Sequence, residues 1–345
     1  MLDQSKFEGC VLGAAVGDAL GMPVEMMNGC EIESRFGRIT EFISPDRNPN
    51  MRFSSRRLQA GSWTDDTQRT FANVFALIES DGRFDMDLFA SNFLFMYNSR
   101  ENRGWGRSTR NSGARLIKGE HWSISGEKNG CGNGVIIGIS PLGLLHSVVG
   151  GNVDEFIKNC ITYARMTHLG TPAIVAGAVH GISIASLVRQ GSSDFNTEFF
   201  LNDLLDAAIH IENDFSLEKW DDKISDQVRA IRNFMTEGRF DAASPYDVAS
   251  WFGGGTPYSP NSFGVSYSLF VRKPNSFDCV FDAVNAGGDS DSNASIVGSL
   301  VGALNGVSVI PQNLCDGVEG SNSLRSAAVR LFKAVCARQE LTANE

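Results

Sequence analysis

The chain has no basic run, no CxxC pair, no Cys/His set at metal-ligand spacing and no convincing set of alternating strands. Each absence excludes something. With a formal charge of −10, a pI near 5.1 and no Lys/Arg cluster, nucleic acid is not an expected partner. The seven cysteines, at 10, 30, 131, 160, 279, 315 and 336, stand singly. They read as small apolar residues of a reducing, cytoplasmic compartment rather than as a disulfide framework or a zinc site. The first residues, MLDQSKFEG, show no basic stretch followed by an apolar one, so no signal peptide is expected. Glycine or polar residues interrupt the apolar stretches, so no membrane-spanning helix and no membrane partner are expected. The acidity says little about substrate.

What is present is mostly helical. A hydrophobic fraction of 42% over 345 residues is enough for a sizeable core. Residues 7–20 are rich in small side chains and suit close packing. Helices are also expected over 67–80, 87–97, 172–188, 196–211, 218–237, 278–285, 294–304 and 323–338, with 135–149 apolar but interrupted by Pro141. Residues 28–62, 99–134 and 251–264 read as loops. No linker and no fixed-period repeat appears. The expectation is a compact, all-α, single domain over residues 1–345.

Two acidic clusters share one alphabet. Thr64, Asp65, Asp66 and Thr67 fall in GSWTDDTQRT; Asp289, Ser290, Asp291 and Ser292 fall in GGDSDSN. Each sets two carboxylates beside hydroxyls, after a glycine-containing turn and before an apolar helical pattern. The plain explanation is helix capping by Asp, Ser and Thr, although a cap needs one residue, not four. A helix start also aims N–H groups and positive dipole at these carboxylates, so capping and ligation are compatible. Gathered carboxylates repel unless a cation joins them. Oxygen-only ligands suit a hard ion such as Mg²⁺ or Mn²⁺, not zinc. If the fold joins the clusters, four carboxylates are enough for a two-metal site.

The chain resembles the ADP-ribosylglycohydrolase family, the group that includes the dinitrogenase-reductase-activating glycohydrolases. The likeness runs from about Phe7 to about Gly306 in ordered blocks: GCVLGAAVGDALGMPVE, GSWTDDT, RGWGRST, GCGNGVIIGISPLGLL, MTH and NAGGDSDSNASIVGSLVGALNG. The resemblance implies a compact all-helical fold, a binuclear Mg²⁺ or Mn²⁺ centre, and hydrolysis of the bond between ADP-ribose and a protein side chain. It implies that Thr64, Asp65 and Asp66 form one ligand set and Asp289, Asp291 and Ser292 the other, with Asp291 bridging. Ser292 stands where the family more often has threonine, a change that keeps the hydroxyl. Glu25 matches a glutamate that reaches the metals and the scissile sugar. Gly132, Asn133 and Gly134 match a loop that approaches the phosphates, and His168 a histidine near the ribose. After that loop the family often has an arginine, where this chain reads VIIGI. Near Trp105 some arginine-directed members carry an aspartate.

The chemistry fits these residue types. Metal ions can hold the ribose diol beside the anomeric carbon, carboxylates stabilise oxocarbenium character, and Glu25 or Asp66 is the candidate base. Trp105, Trp122 and Phe263 are candidate surfaces for adenine. Plainer roles also exist: a turn for Gly132 and Gly134, a buried or surface histidine at 168, a solvated Glu25, packing for Trp105 and support of the ligand network for Asp18. The expected partner is an ADP-ribosylated protein, with ADP-ribosyl-arginine ahead of serine. A cognate ADP-ribosyltransferase is a further expected partner if the protein reverses or blocks a toxin. A non-catalytic ADP-ribose-binding relative is the remaining alternative.

Overall fold

The computed structural model describes residues 3–48, 57–99 and 101–343, so residues 49–56 of the expected 28–62 loop lie outside it. Among the described residues there are helices and no strands. Three isolated β-bridges, Asn28 to Gly287, Glu127 to His168 and Gly132 to Tyr258, tie loops together.

The centre of the fold is an antiparallel pair, Gln4–Gly21 against Ser290–Asn305. Small residues at every fourth position explain it. Gly9, Gly13, Gly17 and Gly21 line one face of the first helix and meet Gly302, Gly298, Ala294 and Ser290 of the second. With side chains removed from the seam, the backbones come into contact: a Cβ on Gly13 would lie 2.2 Å from the Gly298 carbonyl oxygen, and one on Gly298 would lie 2.0 Å from that of Gly13. Gly298→Ala should therefore cost up to about 3 kcal/mol by overpacking. That change should lower the urea midpoint at unchanged m-value. Gly106→Ala, where a Cβ meets open space, should leave the midpoint in place; equal midpoints for both variants would contradict the packing argument.

Asp65–Glu79, Ser140–Val149, Thr171–Arg189, Ser259–Arg272 and Ser321–Ala343 surround this pair. Pro172 falls in the first turn of Thr171–Arg189, where its missing N–H has no helical partner to lose. The N-terminal helix and Thr171–Arg189 are long and apolar enough to cross a membrane, and both are almost wholly buried in the core. No disulfide forms among the described residues. Cys10, Cys160, Cys279 and Cys315 are buried as expected, but Cys30 is exposed.

The structure corrects several expected elements. Gly29–Phe36 is a helix inside the expected 28–62 loop, opened by a capping box between Asn28 and Glu31. Arg107–Ile117 is a helix inside the expected 99–134 loop; its buried face is Thr109, Ser112, Gly113 and Leu116, too polar to show as an apolar stripe. Val153–Arg165 follows an Asn152 cap and was not foreseen. Ser259–Arg272 starts within the expected 251–264 loop, and the helix expected from 218 begins only at Ile224.

Candidate active site

The antiparallel glycine seam places Glu25, just past the end of one helix, beside Asp289, Asp291 and Ser292 at the start of the other. Two backbone hydrogen bonds hold the junction: Met26 N donates to Gly288 O at 2.7 Å, and Gly288 N to Met27 O at 2.8 Å. The first acidic cluster is brought in by Asp18. This buried carboxylate accepts from Thr64 N at 2.9 Å, Thr67 N at 3.0 Å and Thr67 Oγ1 at 2.6 Å, holding the start of Asp65–Glu79 against the N-terminal helix. Thr64 caps that helix, its Oγ1 accepting from Asp66 N at 3.4 Å. The clusters meet where Ser292 Oγ donates to Asp66 Oδ2 at 2.8 Å. Glu25, Asp66, Asp289, Asp291 and Ser292 are buried and Asp65 is half-buried. These six line one cleft of about 710 Å³. Glu25, Asp289 and Asp291 each present an oxygen within 4.8 Å of the others.

So many carboxylates in a buried space hold one another's protons. Burial, then the charges of Asp65, Asp18 and Asp289, push the Asp66 carboxyl well above the usual range; Ser292 opposes this. Asp291 is raised likewise by burial, then by Glu25, Asp289, Asp66 and Asp18. Burial lifts Asp18 to about 6 despite its hydrogen bonds to Thr67 and Thr64. This is the donor set a divalent cation relieves: hard oxygens, several negative charges and hydroxyls between them. The chemistry of the cluster therefore fits Mg²⁺ or Mn²⁺.

Gly132, Asn133, Gly134, His168 and Trp105 line the same cleft. The Asn133 amide donates to Asp289 Oδ2 at 2.6 Å and to Ser262 Oγ at 2.9 Å, so this side chain orients a carboxylate. Gly134 makes room for Arg69: a Cβ there would lie 2.8 Å from Arg69 Nη1 and 3.2 Å from His168 Cε1. The sequence reading missed Arg69, although it stands in TDDTQRT one helical turn after Asp65. It donates through Nη2 to Thr167 Oγ1 at 2.6 Å. Thr167 Oγ1 also hydrogen-bonds His168 Nδ1, 2.8 Å away, and so fixes the orientation of the His168 ring. Burial, and secondarily Arg69, push His168 down to about 3. His168 is thus a neutral imidazole, unsuited to acid–base work near neutral pH.

Trp105 is 2% exposed and packs edge-on against Phe93 and Tyr97, while part of it reaches the cleft wall; its Nε1 has no hydrogen-bond partner among the described residues. Trp122 and Phe263 are not cleft residues. Trp122 donates to Asp87 at 2.7 Å, and Phe263 is fully buried, stacked on Tyr267 with ring centroids 3.9 Å apart. Neither offers a surface for adenine in this cleft.

An all-helical bundle that gathers two acidic helix starts in one cleft is the ADP-ribosylglycohydrolase type of fold. A solved structure described as an ADP-ribosylglycohydrolase-related protein complex superposes with a TM-score of 0.70 at 24% identity, covering 96% of this chain and 98% of that one; it shows the fold. The sequence profile described as ADP-ribosylglycohydrolase matches residues 2–341, and the chain belongs to that family. Among its relatives are the ADP-ribosylarginine hydrolase Tri1 of Pseudomonas putida (strain GB-1), 26% identical over 99% of this chain and 81% of the relative. Another is the ADP-ribosylhydrolase ARH3 of Mus musculus, 24% identical over 95% of this chain and 92% of the relative.

Proposed function

We propose that this protein hydrolyses the glycosidic bond between ADP-ribose and a modified protein side chain, with arginine as that side chain and with two Mg²⁺ ions, or Mn²⁺, as cofactors. One observation carries the reading: two acidic clusters more than 200 residues apart share a buried cleft, joined by the hydrogen bond from Ser292 to Asp66. Thr64, Asp65 and Asp66 would hold one ion, Asp289 and Ser292 the other, and Asp291 both. When bound, the ions supply Lewis acidity and a grip on a vicinal diol. The chain's own groups do the rest. Carboxylates around the anomeric carbon stabilise oxocarbenium character. Glu25 or Asp66, both lining the cleft, would take the proton of the attacking water. Neutral His168, in the cleft wall, would hydrogen-bond the sugar through its ring. Asn133 keeps Asp289 turned into the cleft.

Arginine as the linkage is supported by the likeness to the Pseudomonas putida hydrolase, whose name specifies it. The leaving group supplies a physical reason. A guanidinium is cationic while attached and needs less proton donation than the alkoxide of a serine adduct, which suits a cleft with Trp105 where an acid would otherwise stand. ADP-ribose release from arginine and serine adducts should be compared at equal enzyme and saturating Mg²⁺. The arginine adduct should be cleaved faster; a preference for serine would overturn the linkage and leave the hydrolase reading in place.

A further inference from the structure

Three segments far apart in the chain meet next to the first acidic cluster: 61–63, 101–104 and 317–319. Arg103 joins them. Its guanidinium forks onto the Glu319 carboxylate, Nη1 to Oε2 and Nη2 to Oε1, both at 2.8 Å. The same group lies over the Trp63 ring, with Cζ 4.1 Å from the ring centroid. Glu319 is anchored separately through its backbone: its N donates to Gly61 O at 2.9 Å, and its O accepts from Trp63 Nε1 at 3.0 Å. A forked arginine–carboxylate pair stacked on an aromatic ring is held in one geometry, unlike a lone surface ion pair. Arg103, Trp63 and Glu319 do not line the cleft.

Two connections carry the effect of this pair to the carboxylates. Arg103 Nη1 also donates to Trp63 O at 3.1 Å. That carbonyl belongs to the same peptide as Thr64 N, which donates to Asp18 at 2.9 Å. The peptide entering the first cluster is therefore held at both ends, by Asp18 at its nitrogen and by Arg103 at its oxygen. The second connection is the 101–106 loop. Gln68, one turn into the Asp65–Glu79 helix, donates from Nε2 to Glu101 O at 3.0 Å. Gly104 packs on Asp65 itself: a Cβ there would lie 2.7 Å from Asp65 Oδ1. Fixing Arg103 thus fixes both the start of the helix that bears Asp65 and Asp66 and the loop that lies against Asp65.

We propose that Arg103 and Glu319 are positioning residues: their pair locks the 101–106 loop to the Trp63–Thr64 peptide and so holds Thr64, Asp65 and Asp66 in ligating geometry. The role rests on the reading of these three residues as one ligand set. Neither Arg103 nor Glu319 touches ion or substrate. Their contribution is to the fit of the ligands, as outer contacts to metal ligands generally contribute.

Four metal-stripped proteins test it: the natural chain, Arg103→Gln, Glu319→Ala and Arg229→Gln. Mg²⁺ affinity is read by calorimetric titration, and amide hydrogen exchange is followed over 61–68 and 101–106. Arg229 pairs with Asp226 at 2.6 Å within the Ile224–Thr236 helix and does not line the cleft, so its variant controls for the loss of an ion pair as such. Arg103→Gln and Glu319→Ala should bind Mg²⁺ about tenfold more weakly and exchange faster in both segments. Arg229→Gln should match the natural chain in both readouts. Glu319→Ala keeps the backbone bonds to Gly61 and Trp63, so it decides the matter if Arg103→Gln does not fold. Unchanged Mg²⁺ affinity in Glu319→Ala, with or without faster exchange, would overturn the positioning role. If the natural chain binds no Mg²⁺, the metal reading fails and exchange alone judges the pair. Faster exchange of 61–68 in Glu319→Ala then supports its hold on this segment; unchanged exchange overturns it.

Discussion

Asp291→Ala should lower ADP-ribose release about a thousandfold or more and remove bound metal. Asp291 lies at the helix start where both clusters converge, buried among Glu25, Asp289, Asp66 and Asp18. In the proposed two-ion centre Asp291 would serve both ions, so its loss would dismantle both sites, and a thousandfold is roughly 4 kcal/mol of barrier. Gly132→Ala is the comparison. A Cβ there would sit 3.5 Å from His168 Nε2 and 3.6 Å from Pro257 O, ordinary contact distances, so its loss should stay within about tenfold, or ~1.4 kcal/mol. Turnover and metal content by equilibrium dialysis read the difference. Equal losses in the two variants, with metal content unchanged in Asp291→Ala, would count against the assignment.

The second large effect concerns stability without metal. Asp18, at about 6, and Asp66 and Asp291, raised further by burial and mutual charge, bind protons in the folded chain that the unfolded chain releases. For groups raised in this way, stability is fully present below the unfolded carboxyl value, about 4. It is lost as pH rises through the folded values. Buried His168 and His180, both pushed down to about 3, act in the opposite sense up to about pH 6.5, so chelated protein should melt at progressively lower temperature from about pH 6.5 upward. Mg²⁺ should reverse the loss by taking the place of the protons; a ligand at a hundred times its Kd adds about 2.7 kcal/mol. Asp291→Asn, which keeps the volume and removes the charge, should melt higher than the natural chain in chelator at pH 8. Calorimetric melts from pH 6.5 to 8, with and without Mg²⁺, check all three. A chelated protein that gains stability across this range and ignores Mg²⁺ would contradict the argument.

These effects depend on features of uneven legibility in the sequence. The acidic clusters were visible as hydroxyl-flanked carboxylates before apolar helices. The small-residue runs at 7–20 and 294–304 were visible too. What could not be read was that the two runs pack on each other, since a stripe of glycines at every fourth position shows that a helix accepts a close neighbour and not which one. That pairing is what carries Glu25 to Asp289 and Asp291. Asp18 was legible as a supporting residue, but not what it supports; its role at Thr64 and Thr67 depends on tertiary contact between two helices. Arg69 and the 107–117 helix escaped for a related reason. Their partners are hydroxyls and glycines, which have no periodicity of their own, and a polar run such as RSTRNSGARLI carries no apolar stripe. The aromatic candidates erred in the opposite direction. Trp122 and Phe263 have the right chemistry for adenine, but packing assigns them elsewhere.

The joined clusters are proposed to form a metal centre that cleaves ADP-ribose from protein. Its most direct test is release of ADP-ribose from an arginine-modified protein by chelated enzyme, before and after Mg²⁺ is restored. Release should be absent above background in chelator, return on restoring Mg²⁺ or Mn²⁺, and be absent in either condition with Asp291→Ala. Equal release with and without chelator, or release by Asp291→Ala at the rate of the natural chain, would contradict it.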